Sequence, residues 1–139
     1  MKKLTGLIVG ALLSSGAIAD ENDFRCLVSL GLKKIIKLQF DFPAGKQDLG
    51  YVTYQNGSGR VPVKKINMKE TRIVPGGRPS EYETEWEEII PDSSGGKYIL
   101  VSQGARIYEF KYIRKKDGKV FDFKEDLESF SDNSCEWNH

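Results

Sequence analysis

Apolar and polar residues alternate along most of this chain with a period of two. Ile36, Leu38, Phe40 and Phe42 are separated by Lys37, Gln39 and Asp41. Such spacing predicts a β-strand with one buried face. Tyr82, Thr84, Trp86, Glu88 and Ile90 alternate with Glu81, Glu83, Glu85, Glu87 and Ile89 and predict a longer strand. Shorter β-prone runs lie at residues 24–28, 51–54, 61–68, 97–102, 105–114 and 120–123. In the run 105–114, Tyr108, Phe110 and Tyr112 fall on one face, with Arg106 beside Tyr108. Pro62 marks its run as an edge or a strand start, because proline cannot donate to a ladder.

Turn residues punctuate these runs. They are Pro43-Ala44-Gly45, Asn56-Gly57-Ser58-Gly59, Pro91 to Gly96, Gln103-Gly104 and the hairpin signal Asp117-Gly118. Residues 74–79 hold two prolines and two glycines and read as a loop between sheets. Helical periodicity is weak; only Lys124 to Phe130 suggests a turn or two. The pattern predicts a mainly β fold, a small antiparallel β-sandwich or β-barrel.

The first nineteen residues differ from the rest. Lys2 and Lys3 precede an apolar run, Leu4 to Leu13, and Ala17-Ile18-Ala19 supplies a small-x-small pattern. This is the layout of a secretory signal peptide cleaved after Ala19. The run is too short and glycine-rich to span a bilayer, and no later apolar run is long enough for a transmembrane helix. Residues 20–139 then form one β domain with an ordered core of about 24–135, and the expected location is the periplasm. The leader takes two of the 21 lysines and arginines and none of the 20 acids, leaving a balance of −1. That near-neutral charge gives no case for a nucleic-acid partner.

Export changes the meaning of the two cysteines. Cys26 and Cys135 lie 109 positions apart and are the whole thiol inventory. In an oxidising compartment they are expected to form one structural disulfide closing the domain. A redox pair favours Cys-x-x-Cys spacing and structural zinc needs four ligands, and neither pattern occurs. The single histidine is His139, the last residue. Ser-His and Cys-His nucleophile systems therefore have no ordinary base here. Phosphate-binding glycine motifs are missing too. The expectation is a non-enzyme with no catalytic residues, no cofactor and no metal site.

Glu83, Glu85 and Glu87, with Glu81, fall on one strand face about 6.5–7 Å apart. That face is opposite Tyr82 and Trp86 and is expected to meet water. Its plain reading is a solvated face balanced by lysines on a neighbouring strand. The sharper reading is an acidic stripe that docks a basic protein. Tyr51, Tyr54, Trp86, Tyr98, Tyr108, Tyr112 and Trp137 offer two readings as well: an aromatic core, or the lining of a ligand cavity. Arg106 could meet a ligand carboxylate or stack on Tyr108.

One segment carries a family likeness. Ile99-Leu100-Val101 followed by Ser102-Gln103-Gly104-Ala105-Arg106-Ile107-Tyr108 resembles the Ser-Gly-x-x-Tyr region of the periplasmic inhibitors of C-type lysozyme. Phe24-Arg25-Cys26 is similar to the opening of their first strand. The segment departs from the family pattern where Gln103 separates Ser102 from Gly104 and where Ile107 precedes Tyr108. The mature chain is also long for that family. The resemblance implies a small exported β-barrel in which Ser102, Gly104, Arg106 and Tyr108 contact an enzyme's active site. The leading expectation is a periplasmic protein that binds and blocks a basic wall-degrading enzyme or toxin, with Glu83, Glu85 and Glu87 adding contact. The alternatives are a small-molecule or lipid carrier with a hollow interior, and an envelope structural module.

Overall fold

The alternating segments form eight antiparallel strands. In chain order they are β1 (Asp23–Ser29), β2 (Lys37–Phe42), β3 (Leu49–Tyr54), β4 (Arg60–Arg72), β5 (Glu81–Ile90), β6 (Ser93–Gln103), β7 (Arg106–Ile113) and β8 (Val120–Glu125). The computed structural model describes residues 23–73, 76, 79–91 and 93–137. The expected leader, its cleavage site and His139 lie outside the described residues. Each strand pairs with the next, and β8 returns to β1 through Leu27↔Glu125, Val28↔Lys124 and Ser29↔Phe123. The result is a closed up-and-down barrel, which decides between the two predicted architectures. Closure pairs the outer strands with each other and so leaves no sheet edge along the seam.

The period-two pattern sets inside and outside. Leu27, Leu38, Phe40, Val52, Val63, Trp86, Tyr98, Leu100, Phe110 and Phe123 point inward and form one buried cluster. An eight-stranded barrel is just wide enough for its side chains to fill it, and here they do. Phe40 sits at the centre, with ring centroids 4.7 Å from Phe42, 5.2 Å from Trp86, 6.0 Å from Phe110 and 6.1 Å from Tyr98. Gly50 makes room for it: a Cβ there would come within 3.0 Å of Phe40 Cε1 and 3.2 Å of Val63 Cγ2. Pro62 pairs with Tyr51 and lies one residue before the β4–β5 ladder begins at Val63. Pro62 is thus the third residue of β4, not its start, and its β5 side is unpaired, the edge alternative that its missing N–H allows.

The disulfide is present. Cys26 and Cys135 are bonded, with their Cα atoms 5.8 Å apart. Because Leu27 faces the core, the preceding Cys26 faces outward, where the C-terminal tail covers it. The Asp126 amide donates to the Cys26 carbonyl at 2.8 Å, and the Cys135 amide donates to Gln39 Oε1 at 2.8 Å. Phe130 stacks on Phe24 with centroids 4.9 Å apart.

Four local expectations are corrected. The helical turn predicted over Lys124–Phe130 is replaced by the end of β8 and a non-helical tail, held by the Asp126–Ser129 bonds and a Phe130–Cys135 bridge. Residues 74–79 join β4 to β5 within one sheet and do not link two sheets. The turn predicted from Pro91 to Gly96 shrinks, because β6 already begins at Ser93. Gly95 and Gly96 are buried strand residues; a Cβ on Gly95 would come within 2.6 Å of the Glu88 Cβ. Finally, a bulge between Val101 and Ser102 pairs Val101 with Glu109 but Ser102 with Ile107. The extra residue is Tyr108. It turns outward, away from the face of Phe110 and Tyr112, and Ile107 takes the inward place.

Candidate functional site

The even-numbered connections, β2–β3, β4–β5 and β6–β7, meet at one end of the barrel, where the filled core stops short of the rim. A cavity of about 320 Å³ opens there. Its wall is apolar: Phe42 at the end of β2, Met68 on β4, Tyr82 and Trp86 on β5, Leu100 on β6 and Ile107 on β7. Trp86 is only 3% exposed, and its indole N–H has no acceptor among the described residues.

Charge is gathered above this wall. Arg25, Lys46, Lys65 and Asp23 line the same cavity. Arg25 is engaged: its guanidinium donates to Asp23 at 2.8 Å and to the carbonyls of Phe24 and Ala105. Lys65 occupies an inward position two residues beyond the buried Val63, pairs across the ladder with Trp86, and holds Nζ 5.4 Å from the Trp86 ring. Among the described residues neither Lys65 nor Lys46 forms an ion pair with a carboxylate.

The residues singled out by sequence divide between this mouth and the outer wall. Ser102, the penultimate residue of β6, faces inward opposite Tyr82 and lines the cavity with Gly104. Gly104 sits in the two-residue β6–β7 turn with φ +58°, the left-handed region that glycine tolerates. Arg106 and Tyr108 are on the outer face, the guanidinium stacked 4.8 Å from the ring centroid. The Tyr108 hydroxyl donates to Gln103 at 2.8 Å, and the Gln103 amide donates to the Pro79 carbonyl at 2.9 Å. These bonds tie the β6–β7 turn to the β4–β5 connection.

Glu83, Glu85 and Glu87 lie on the outer face of β5, as the alternation requires. Glu83 is 3.6 Å from Lys69, Glu85 is 3.1 Å from Lys97, and Glu81 is 3.9 Å from Arg72. Glu87 has Lys64 and Lys97 as its cross-strand partners. The stripe is therefore bordered by cations on both neighbouring strands, the balanced face of the plain reading. Each half-exposed pair contributes about 0–1 kcal/mol.

The opposite end of the barrel carries a polar cluster that the sequence did not flag as a unit. Glu88 Oε2 accepts from the Tyr98 hydroxyl at 3.0 Å and its Oε1 accepts from the Gly96 amide at 3.0 Å, while the Tyr54 and Tyr98 hydroxyls bond to each other. Burial, reinforced by the Glu88 charge, pushes the Tyr54 and Tyr98 phenols far above their ordinary range. Tyr112 is also raised, first by burial and then by Glu88. The aromatic set thus splits: Trp86 and Tyr98 are core, Tyr54 and Tyr112 border this end, and Tyr51 and Tyr108 stack under Arg60 and Arg106 on the outside.

Among the described residues no three His, Cys, Asp or Glu side chains are placed to hold a metal ion, and no helix is long and apolar enough to cross a membrane. Comparison of the chain with family models, curated proteins and solved structures gives no match.

Lys65, Lys46 and Arg25 were missed by sequence reasoning. A signal for Lys65 existed: it continues the inward phase of Val61 and Val63 and places an ammonium where an apolar residue is expected.

Proposed function

We propose that this is an exported protein-binding barrel that blocks a cell-wall-degrading enzyme. The observation that carries the reading is the outer half of β4. The β3 ladder ends at Leu49↔Lys64, so Ile66–Arg72 has β5 on one side and no strand on the other among the described residues. An unpaired edge of this kind is a template for an extended segment of another chain. Ile66 (40% exposed) and, just beyond the strand, Ile73 (74%) display apolar side chains beside it. The turn resembling the lysozyme-inhibitor loop is bonded to the same connection through Gln103. A filled barrel middle supports recognition by the rim over carriage in a deep hollow, and a stiff scaffold lowers the ordering cost of association.

The test is inhibition of wall lysis by C-, G- and I-type lysozymes with the purified mature protein, together with capture of partners from envelope extract. An Ile66→Asp/Ile73→Asp variant that keeps the wild-type circular dichroism should lose inhibition by tenfold or more, since apolar anchors dominate such interfaces. Lack of inhibition across the three classes removes the lysozyme reading. Full inhibition by the variant removes the β4 edge as the contact surface.

A further inference from the structure

We infer that the barrel mouth is a binding site for a small anionic amphiphile: a carboxylate head on an unbranched apolar tail of about ten carbons. This goes beyond association with a protein, since the site lies inside the mouth and needs no macromolecule. Three features point to it. The cavity, open to solvent at the mouth, offers about 320 Å³, room for roughly ten water-sized groups at ~30 Å³ each. Its wall is built from Phe42, Met68, Trp86, Leu100 and Ile107, which offer an alkyl chain contact on several sides. Its charged lining comprises three cations, Arg25, Lys46 and Lys65, against the one acid Asp23.

Lys65 decides the sign of the ligand. It is a half-buried cation on the inward face of a barrel strand, where a hydrophobic residue would continue the pattern. Here its ammonium borders the cavity over the Trp86 ring with no carboxylate bonded to it among the described residues. Arg25 is already committed to Asp23 and two carbonyls, which fixes it on the rim and leaves the lysines to meet the head group. A carboxylate seated between Lys65 and Lys46 would supply the missing counter-charge while its tail covers Trp86 and Leu100. A neutral alcohol of the same length supplies no counter-charge, and a quaternary amine of the same length meets the like charges of Lys65 and Lys46. The β-barrel middle below is filled, so the site is shallow and the tail ends against the core.

Trp86 reports on occupancy directly. In a Trp137→Phe background, decanoate added below its micelle concentration should shift and saturate Trp86 fluorescence. Decanol should bind at least tenfold more weakly, and decyltrimethylammonium should give no saturable change. Lys65→Met should weaken decanoate tenfold to a hundredfold, the scale of a charge-assisted contact, with Lys65→Arg restoring most of it. The decanoate–decanol comparison uses the unaltered lysine and stays decisive if Lys65→Met fails to fold. Equal affinity for decanoate and decanol, unchanged affinity in a folded Lys65→Met variant, or no saturable signal with decanoate would each overturn the inference.

Discussion

Replacing both cysteines by alanine (Cys26→Ala/Cys135→Ala) isolates the work of the crosslink without leaving a lone thiol. The bridge spans 109 positions. On the chain-entropy model the unfolded state loses about 2.1 + 1.5R ln n cal/mol/K when so closed, so with n of 109 the bond contributes about 4.8 kcal/mol at 298 K. Domains of this size are stable by about 5–15 kcal/mol, so the loss is a third or more of the total. Urea unfolding followed by tryptophan fluorescence measures it by linear extrapolation. Two changes are expected together: a fall of about 4–5 kcal/mol and a larger m-value, because the unlinked denatured chain is less compact. The tail has other anchors, namely the Asp126 and Cys135 amide bonds and the Phe24–Phe130 stack. If those suffice to fix the end of the chain, the variant will lose less than about 1 kcal/mol and keep its m-value, and the chain-entropy account will be refuted for this barrel.

Two further outcomes follow from the polar end of the barrel. Gly96→Ala places a Cβ within 2.6 Å of Tyr112 Cε1 and Cζ, and the resulting overpacking should cost about 1–3 kcal/mol in the same urea assay; a neutral result would mean the Tyr112 ring moves freely. Burial raises the folded-state pKa of the Tyr54 and Tyr98 phenols above the unfolded value near 10. Stability from these groups is therefore complete below pH ~10 and drains away as the pH rises above it. Their phenolate absorbance should appear only with loss of the near-UV circular dichroism signal. A Tyr98→Phe variant should lose stability less steeply above pH ~10 than the wild type. Ionisation of both phenols in a chain with native dichroism would contradict their burial.

By itself the sequence determined that the chain folds as strands and, wherever no bulge intervenes, which residues of a strand face in. The period of two leaves a strand no other way to bury Leu38 and Phe40, or Trp86, while Lys37 and Glu85 stay at the surface. It also determined the disulfide, given only two thiols, and the turns at Asn56-Gly57 and Asp117-Gly118. Alternation says nothing, however, about which strand lies beside which, and both a sandwich and a barrel satisfy it. Closure depended on β8 meeting β1, a pairing across about the whole domain that no local pattern encodes. Register had the same character. A single extra residue at the β6–β7 bulge sent Tyr108 outward and Ile107 inward, because a one-residue slip exchanges the two faces of a strand. The mouth belongs to this second class. Arg25, Lys46, Lys65 and Trp86 come from three strands and a connection, and only the curvature of the closed sheet brings their side chains over one cavity.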